Sequence, residues 1–415
     1  MAAVQTKTSA RERAVLRDLA SRVRQIAEDP SMAVRKQRWQ RHNALQGEGP
    51  MILCNPEGAW NEIFPDSALV CQSEPLRGWE WTLRSRIFWW EHIRDDSYID
   101  PWLDINWKVD VGDFGVQIST THGDNRGSYT WKAPLEDLER DLPKLHFRSL
   151  SVDRETTEHS IGLANEILGD ILPVRIRSYL WWSMGLTDEA SKLVGLENLM
   201  LLMYDQPDEL HRLMAFLRDE RLHFISWCER EGLVSPNNGP DPIASGGIGA
   251  TDELHPASDS GVALGDIWGF AESQETVGVS PSMFKEFVLP YQVPIMERFG
   301  LNSYGCCEGL EHRIDAVTSQ IPRLRRVSVA PTANQEILAD KLAENYIFSR
   351  KPNPAHVSVG FNEKAIREDL RHTLAVAGKL PLEIILKDTH TIENDPARLT
   401  RWVQIAREEV GMALA

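Results

Sequence analysis

From about residue 150 onward the chain alternates short apolar runs with amphipathic helical segments, and this repetition restricts its fold more than any other feature. Periodicity predicts helices over 155–168, 198–204, 207–231, 282–299, 363–377 and 396–412, with Gly232 closing the third. Between them lie β-like runs at 173–177, 266–270, 301–306, 326–329, 346–349 and 382–387. Strand and helix units repeating every ~30 residues imply a parallel sheet, because each helix carries the chain back to start the next strand in the same direction. Six or more such strands favour a (β/α)8 TIM barrel over 151–415 in place of a small doubly wound sheet.

The preceding segment is written differently. Nine of the 14 tryptophans fall between Trp39 and Trp131, among short apolar stretches broken by turn residues such as Asn55-Pro56-Glu57-Gly58. Residues 46–150 are therefore expected to form an aromatic-rich extension that caps the barrel. Its tryptophans either fill a core or line a cleft, and Trp60 is a candidate for a substrate pocket. Residues 1–45 predict an amphipathic basic arm. Ser9 and Glu12 have the spacing of a capping box, and Leu16, Leu19, Val23 and Ile26 recur at helical intervals. Two readings fit this arm: a grip for an anionic partner, or a helix docked on the acidic body of its own chain or of a second copy in a homo-oligomer.

Composition excludes several classes. With 45 basic against 61 acidic residues, a net charge of −16, the surface repels nucleic acid and anionic lipid. No apolar run reaches the roughly 18–20 residues of a membrane span, and the amino terminus lacks the apolar stretch of a signal peptide. A cytoplasmic protein with neither membrane nor nucleic-acid partners is expected. Five cysteines, an odd number without framework spacing, predict reduced thiols.

In such a barrel the chemistry gathers where strands end. The 173–177 strand leads to Trp181 and Trp182, and the 266–270 strand, with Trp268, leads to Glu272 and Gln274. The 301–306 strand leads to Cys306, Cys307 and Glu308, the 346–349 strand to Arg350 and Lys351, and the last to Asp388 and His390. Thiolate, carboxylate and imidazole at two strand ends are ligands that zinc accepts, and a catalytic zinc needs only three of them. Cys306, Cys307, Glu308, Asp388 and His390 are the side chains that these strand ends offer, and Glu272, Asp388 and His390 are candidates for catalysis. Adjacent cysteines on a strand point to opposite faces, so one of the pair is expected in the core. Ser245-Gly246-Gly247-Ile248-Gly249 lacks the lysine of a phosphate loop and reads as a flexible loop over a site.

Several stretches together resemble the uroporphyrinogen decarboxylase superfamily, and its corrinoid-linked methyltransferase branch more than the decarboxylases. They are Gly278-Val279-Ser280-Pro281 with Phe284 and Pro290-Tyr291, then Tyr304-Gly305-Cys306-Cys307-Glu308-Gly309, then Tyr346 to Pro354, and Leu382 to His390. Residues 155–412 carry the likeness; the decarboxylases' Arg-Gln-Ala-Gly-Arg motif is missing. The resemblance implies a zinc-assisted transfer of a methyl group from a small methylated or methoxylated substrate to a corrinoid carried by a partner protein. The family's zinc strand reads His-x-Cys; here Cys307 takes the Cys position and Gly305 stands in place of the His, so the resemblance implies a rearranged set led by Cys307 and His390, with Cys306, Glu272, Glu308 or Asp388 to complete it. In that reading Trp60, Trp181, Trp182, Trp268, Gln274, Arg350 and Lys351 bind substrate. A lyase or decarboxylase acting on a small acid through Arg350, Lys351 and His390, and a binding barrel without chemistry, are the alternatives.

Overall fold

A computed structural model describes residues 8–122, 129–178, 183–254 and 261–414. Trp181 and Trp182 lie outside the described residues. Eight strands, each parallel to those it pairs with, form its framework: β1 (Met51–Cys54), β2 (Leu103–Asn106), β3 (Val174–Arg177), β4 (Trp268–Ala271), β5 (Leu301–Tyr304), β6 (Leu324–Val329), β7 (Ile347–Arg350) and β8 (Leu382–Leu386). Six of them make one sheet in the order β1-β8-β7-β6-β5-β4, while β2 and β3 pair with each other. This α/β architecture is compatible with a barrel; among the described residues no ladder joins β1 to β2 or β3 to β4. The sheet strands are buried almost throughout, polar residues included, because helices and loops cover both faces.

The sheet begins well before residue 151. Met51–Cys54, inside the segment expected to form a cap, pairs in register along β8, with Met51 opposite Glu383 and Leu53 opposite Ile385. Four buried residues without alternation leave little strand signal in a sequence. The predicted helix over 282–299 is two helices, Pro281–Phe287 and Leu289–Met296, since Pro290 has no N–H to continue the ladder of the first. The other predicted helices and strands after 150 lie within a few residues of their expected bounds.

The basic arm folds onto its own chain. Helix α1 (Ala10–Ala27) opens with the Ser9–Glu12 capping box and buries Leu16, Ala20 and Val23 against Leu83, Ile167 and Leu168. Its outer face is tied by Arg17 to Asp170 at 2.7 Å and by Arg22 to Glu91 at 2.6 Å. Helix α2 (Pro30–Asn43) then brings Trp39, His42 and Asn43 beneath the amino-terminal end of the sheet. There the indole of Trp39 donates to the Asp96 carbonyl at 2.8 Å, and Asn43 donates to the carbonyls of Ile248 and Ala250 at 2.9 and 2.7 Å. Trp39, Met51, Leu53, Tyr98, Ile248 and Ile385 form one buried core on this face.

The stretch read as a flexible loop is half of a packed hairpin, Pro242–Ile243 against Gly247–Ile248. It lies so close to the sheet that a Cβ on Gly247 would come within 2.7 Å of the Arg326 guanidinium carbon. Two aromatic pocket candidates occupy core positions. Trp60 packs among Phe64, Trp81, Phe88 and Trp89 at centroid distances of 5.3 to 5.7 Å. Trp268 is buried under Arg326, its indole donating to the Gly249 carbonyl at 2.9 Å. No helix among the described residues is long and apolar enough to cross a membrane.

Candidate active site at the carboxyl ends of the strands

Strand β5 stops at Tyr304 because Gly305 takes φ of +92°, a conformation that L side chains rarely adopt. A Cβ there would also meet Leu310 Cδ1 at 2.6 Å. The position where the resemblance calls for a histidine therefore has neither the backbone nor the room for one. The turn also sets aside the alternation expected of the two cysteines: Cys306 and Cys307 present their sulfurs on the same side, 3.5 Å apart.

Cys306 is buried and Cys307 exposed. The Ser245 hydroxyl, carried in by the hairpin, donates to Cys306 Sγ at 3.2 Å, and Lys387 Nζ, immediately beyond β8, lies 3.8 Å from the same sulfur. Lys387 also pairs with Asp388 at 3.3 Å, and Cys307 Sγ stands 4.0 Å from the other Asp388 oxygen. The hydrogen bond from Cys307, with the Lys387 charge and the Ser245 hydroxyl, outweighs burial and brings the Cys306 thiol down to about 7. Cys307 moves the opposite way, because it supplies that hydrogen bond and faces the charge of its neighbour. The pair thus holds one thiolate and one thiol, and the thiolate is the buried member.

Glu272, just beyond β4, is 2% exposed and accepts from Ser183 Oγ at 3.2 Å and the Gln274 backbone N–H at 3.0 Å. Burial first, then the charges of Glu275, Glu308 and Cys306, push its carboxyl well above the usual range, which favours its protonated form. Glu308 has a structural part: it accepts the backbone N–H groups of Ser273 and Cys306 at 2.9 and 2.8 Å and so ties the ends of β4 and β5 together.

The side chains expected to hold zinc are not gathered. Among the described residues no three His, Cys, Asp or Glu side chains converge on a metal position. His390 is exposed and lies against Gly58, and Glu308 is engaged by backbone N–H groups. The ammonium of Lys387 supplies positive charge between Cys306 and Asp388, where two of the expected ligands would face a metal. These residues do not fit a zinc ion as they stand.

The remaining candidates are dispersed. Arg350 donates to the Ala330 carbonyl at 2.6 Å and pairs with Asp369 at 2.9 Å, on the helix side of the sheet. Lys351 is buried and donates to the carbonyl of Ser349 at 2.9 Å and to its hydroxyl; burial brings its ammonium down to about 7. Gln274 contributes its backbone to Glu272. Arg350, Lys351 and His390 do not meet, which removes the geometry that an acid-binding lyase site would need. Sequence reasoning missed Lys387 as a site residue and saw Ser245 only as part of a loop. The signal for Lys387 was a cation two residues beyond Ile385, on the same face of the strand.

No protein-family profile matches the chain, and no curated protein matches it in sequence. Among solved structures it is similar to a methyltransferase from Methanosarcina mazei, with a TM-score of 0.51 and 12% identity, over 90% of this chain and 98% of that one. At that identity the likeness is one of fold: this chain has the fold of a methanogen methyltransferase.

Proposed function

We propose that the chain is an enzyme that removes a methyl group from a small methylated or methoxylated compound, in a transfer whose final acceptor is a corrinoid carried by a partner protein. The observation that carries this reading is the Cys306 sulfur held 3.8 Å from the Lys387 ammonium at the ends of β5 and β8, in a chain with the fold of a methyltransferase. Cys306 is the nucleophile. Its thiolate attacks the methyl carbon; the C–S bond forms as the bond from carbon to the substrate heteroatom breaks, and the electron pair leaves on that heteroatom. The protonated Glu272 carboxyl gives its proton to the leaving group. Lys387 keeps the sulfur ionised before attack, and Asp388 balances its charge once the sulfur is a neutral thioether. Removal of the methyl group by a nucleophilic acceptor returns the electron pair to sulfur and restores the thiolate.

Incubation with methoxylated and methylated donors, followed by peptide mass analysis, tests this directly. One added methyl group is expected on Cys306, and a Cys306→Ala variant is expected to lose transfer. Glu272→Gln should slow the first step by about 10²–10⁴-fold, the usual worth of a positioned acid. Unimpaired transfer by Cys306→Ala overturns the reading.

A further inference from the structure

The fold treats its five cysteines in two ways. Cys54, Cys71 and Cys228 are buried, and burial pushes all three thiols up, those of Cys71 and Cys228 to about 12. They pack in their cores as small apolar side chains. Cys306 and Cys307 differ, because the left-handed turn at Gly305 sets both sulfurs on one side, 3.5 Å apart. Cys307 is exposed, while Cys306 is only 4% exposed. An S–S bond needs the sulfurs to close to ~2.05 Å, an approach that the exposed Cys307 can make by rotating about its Cα–Cβ bond.

Their surroundings give the two sulfurs different parts. Cys306 Sγ accepts from the Ser245 hydroxyl at 3.2 Å and has the Lys387 ammonium at 3.8 Å, two groups that favour its ionised form. Only the thiolate is nucleophilic, so Cys306 is the sulfur of this chain that a small electrophile meets first near neutral pH. Cys307 keeps its proton and stands in contact with that sulfur, as a resolving thiol does.

We propose that Cys306 is a site of modification by small hydroperoxides, with Cys307 as its resolving thiol, and that the pair closes into a reversible disulfide. The Cys306 thiolate attacks one oxygen of hydrogen peroxide; the S–O bond forms as the O–O bond breaks, and the departing hydroxide takes up the proton that Cys306 gave up on ionising. Cys307 then attacks the sulfenic sulfur. The S–S bond forms as the S–O bond breaks, and the hydroxide that leaves carries off the Cys307 proton as water. Two thiols are oxidised and one peroxide is reduced to two waters.

Neighbouring residues hold their Cα atoms about 3.8 Å apart, below the roughly 4.4–6.8 Å of ordinary disulfides, so such a bond is strained and readily reduced. That suits a switch more than a structural cross-link. The oxidised pair has no thiolate to take a methyl group. This consequence rests on the proposed function, whereas the bond itself rests on the placement of the sulfurs.

The test treats the folded full chain at neutral pH with hydrogen peroxide, blocks the free thiols and reads the peptides by mass. The peptide holding Cys306 and Cys307 is expected to lose two hydrogen atoms and to regain them with dithiothreitol, while Cys54, Cys71 and Cys228 stay reduced. In Cys307→Ser, Cys306 should instead gain two oxygen atoms, a sulfinic acid that dithiothreitol does not reverse. Cys306→Ser should consume peroxide several-fold more slowly than the unaltered chain. Oxidation of Cys306 in the unaltered chain without a bond to Cys307, equal oxidation of the three buried cysteines, or a pair that stays reduced overturns the proposal. If either variant fails to fold, the peptides of the unaltered chain still decide. A disulfide in a chain that transfers no methyl group removes the proposed function and leaves this site standing; methyl transfer by a chain whose pair never closes does the reverse.

Discussion

The two ends of the sheet bury the same kinds of charge and treat them differently. At the amino-terminal end Glu383 of β8 is met by Arg326 at 2.9 Å and His42 at 3.4 Å, and Ser349 donates to it. Arg326 reaches on to Asn43 and to the Ile248 carbonyl at 2.8 and 3.0 Å. Although burial opposes it, Arg326 with His42 and Lys351 holds the Glu383 carboxyl far below the usual range. At the carboxyl end, four residues further along, Lys387 lies 3.8 Å from the Cys306 sulfur, and burial pushes the Glu272 carboxyl up. One end has paired its charges and closed over them with α2; the other keeps a thiol drawn down and a carboxyl pushed up. Paired buried charge fixes a structure, whereas buried groups displaced from their ordinary protonation are what chemistry requires.

The sharpest way to break this comparison is to remove one partner at the closed end. Glu383→Ala leaves Arg326 buried and uncompensated, and should cost about 3–5 kcal/mol in denaturant unfolding. Trp39→Ala, which opens a cavity under the same end, should cost a similar 3–5 kcal/mol. Both should leave the Cys306 titration where it is in the fraction that remains folded; a shift would mean that the two ends are one coupled unit. The depressed Glu383 carboxylate stabilises the fold above the ordinary carboxyl range near ~4.3, and that contribution is lost as pH falls toward its folded value. Glu383→Gln should therefore flatten the acid side of the stability curve. The smallest effect is expected far from both ends: Ser9→Ala removes the α1 cap and should cost about 1 kcal/mol without touching either titration.

The sequence shows parts of the fold and the strand ends that carry the site, but not the paired charges of the closed end, and the unread part has physical causes. The capping box of α1 and strands β5 to β8 announced themselves, because their signals are local: a cap at fixed spacing, and apolar runs bounded by turn residues. Strand β1 did not, since Met51-Ile52-Leu53-Cys54 is too short to show a period and its identity rests on pairing with a strand more than 300 residues away. Cys306, Cys307 and Asp388 do stand at the ends of two strands, yet strand alternation put only one cysteine at the site and the resemblance to a His-x-Cys strand chose Cys307. The φ of Gly305 abolishes that alternation, and a backbone angle cannot be read from the letter alone. Lys387 escaped because a lysine closing a strand looks like a surface residue until its neighbours are known, and His390 was overvalued because imidazole is a good ligand only where it points.

The claim at the centre is that Cys306 is a thiolate near neutral pH and that Lys387 helps to make it one. It is tested most directly by the pH dependence of alkylation at Cys306, followed by peptide mass analysis in the unaltered chain and in Lys387→Met. The account predicts a midpoint near 7 in the unaltered chain, rising with pH, and a midpoint at least one unit higher in the variant. A midpoint in the ordinary thiol range in the unaltered chain, or one that Lys387→Met does not move, would contradict it.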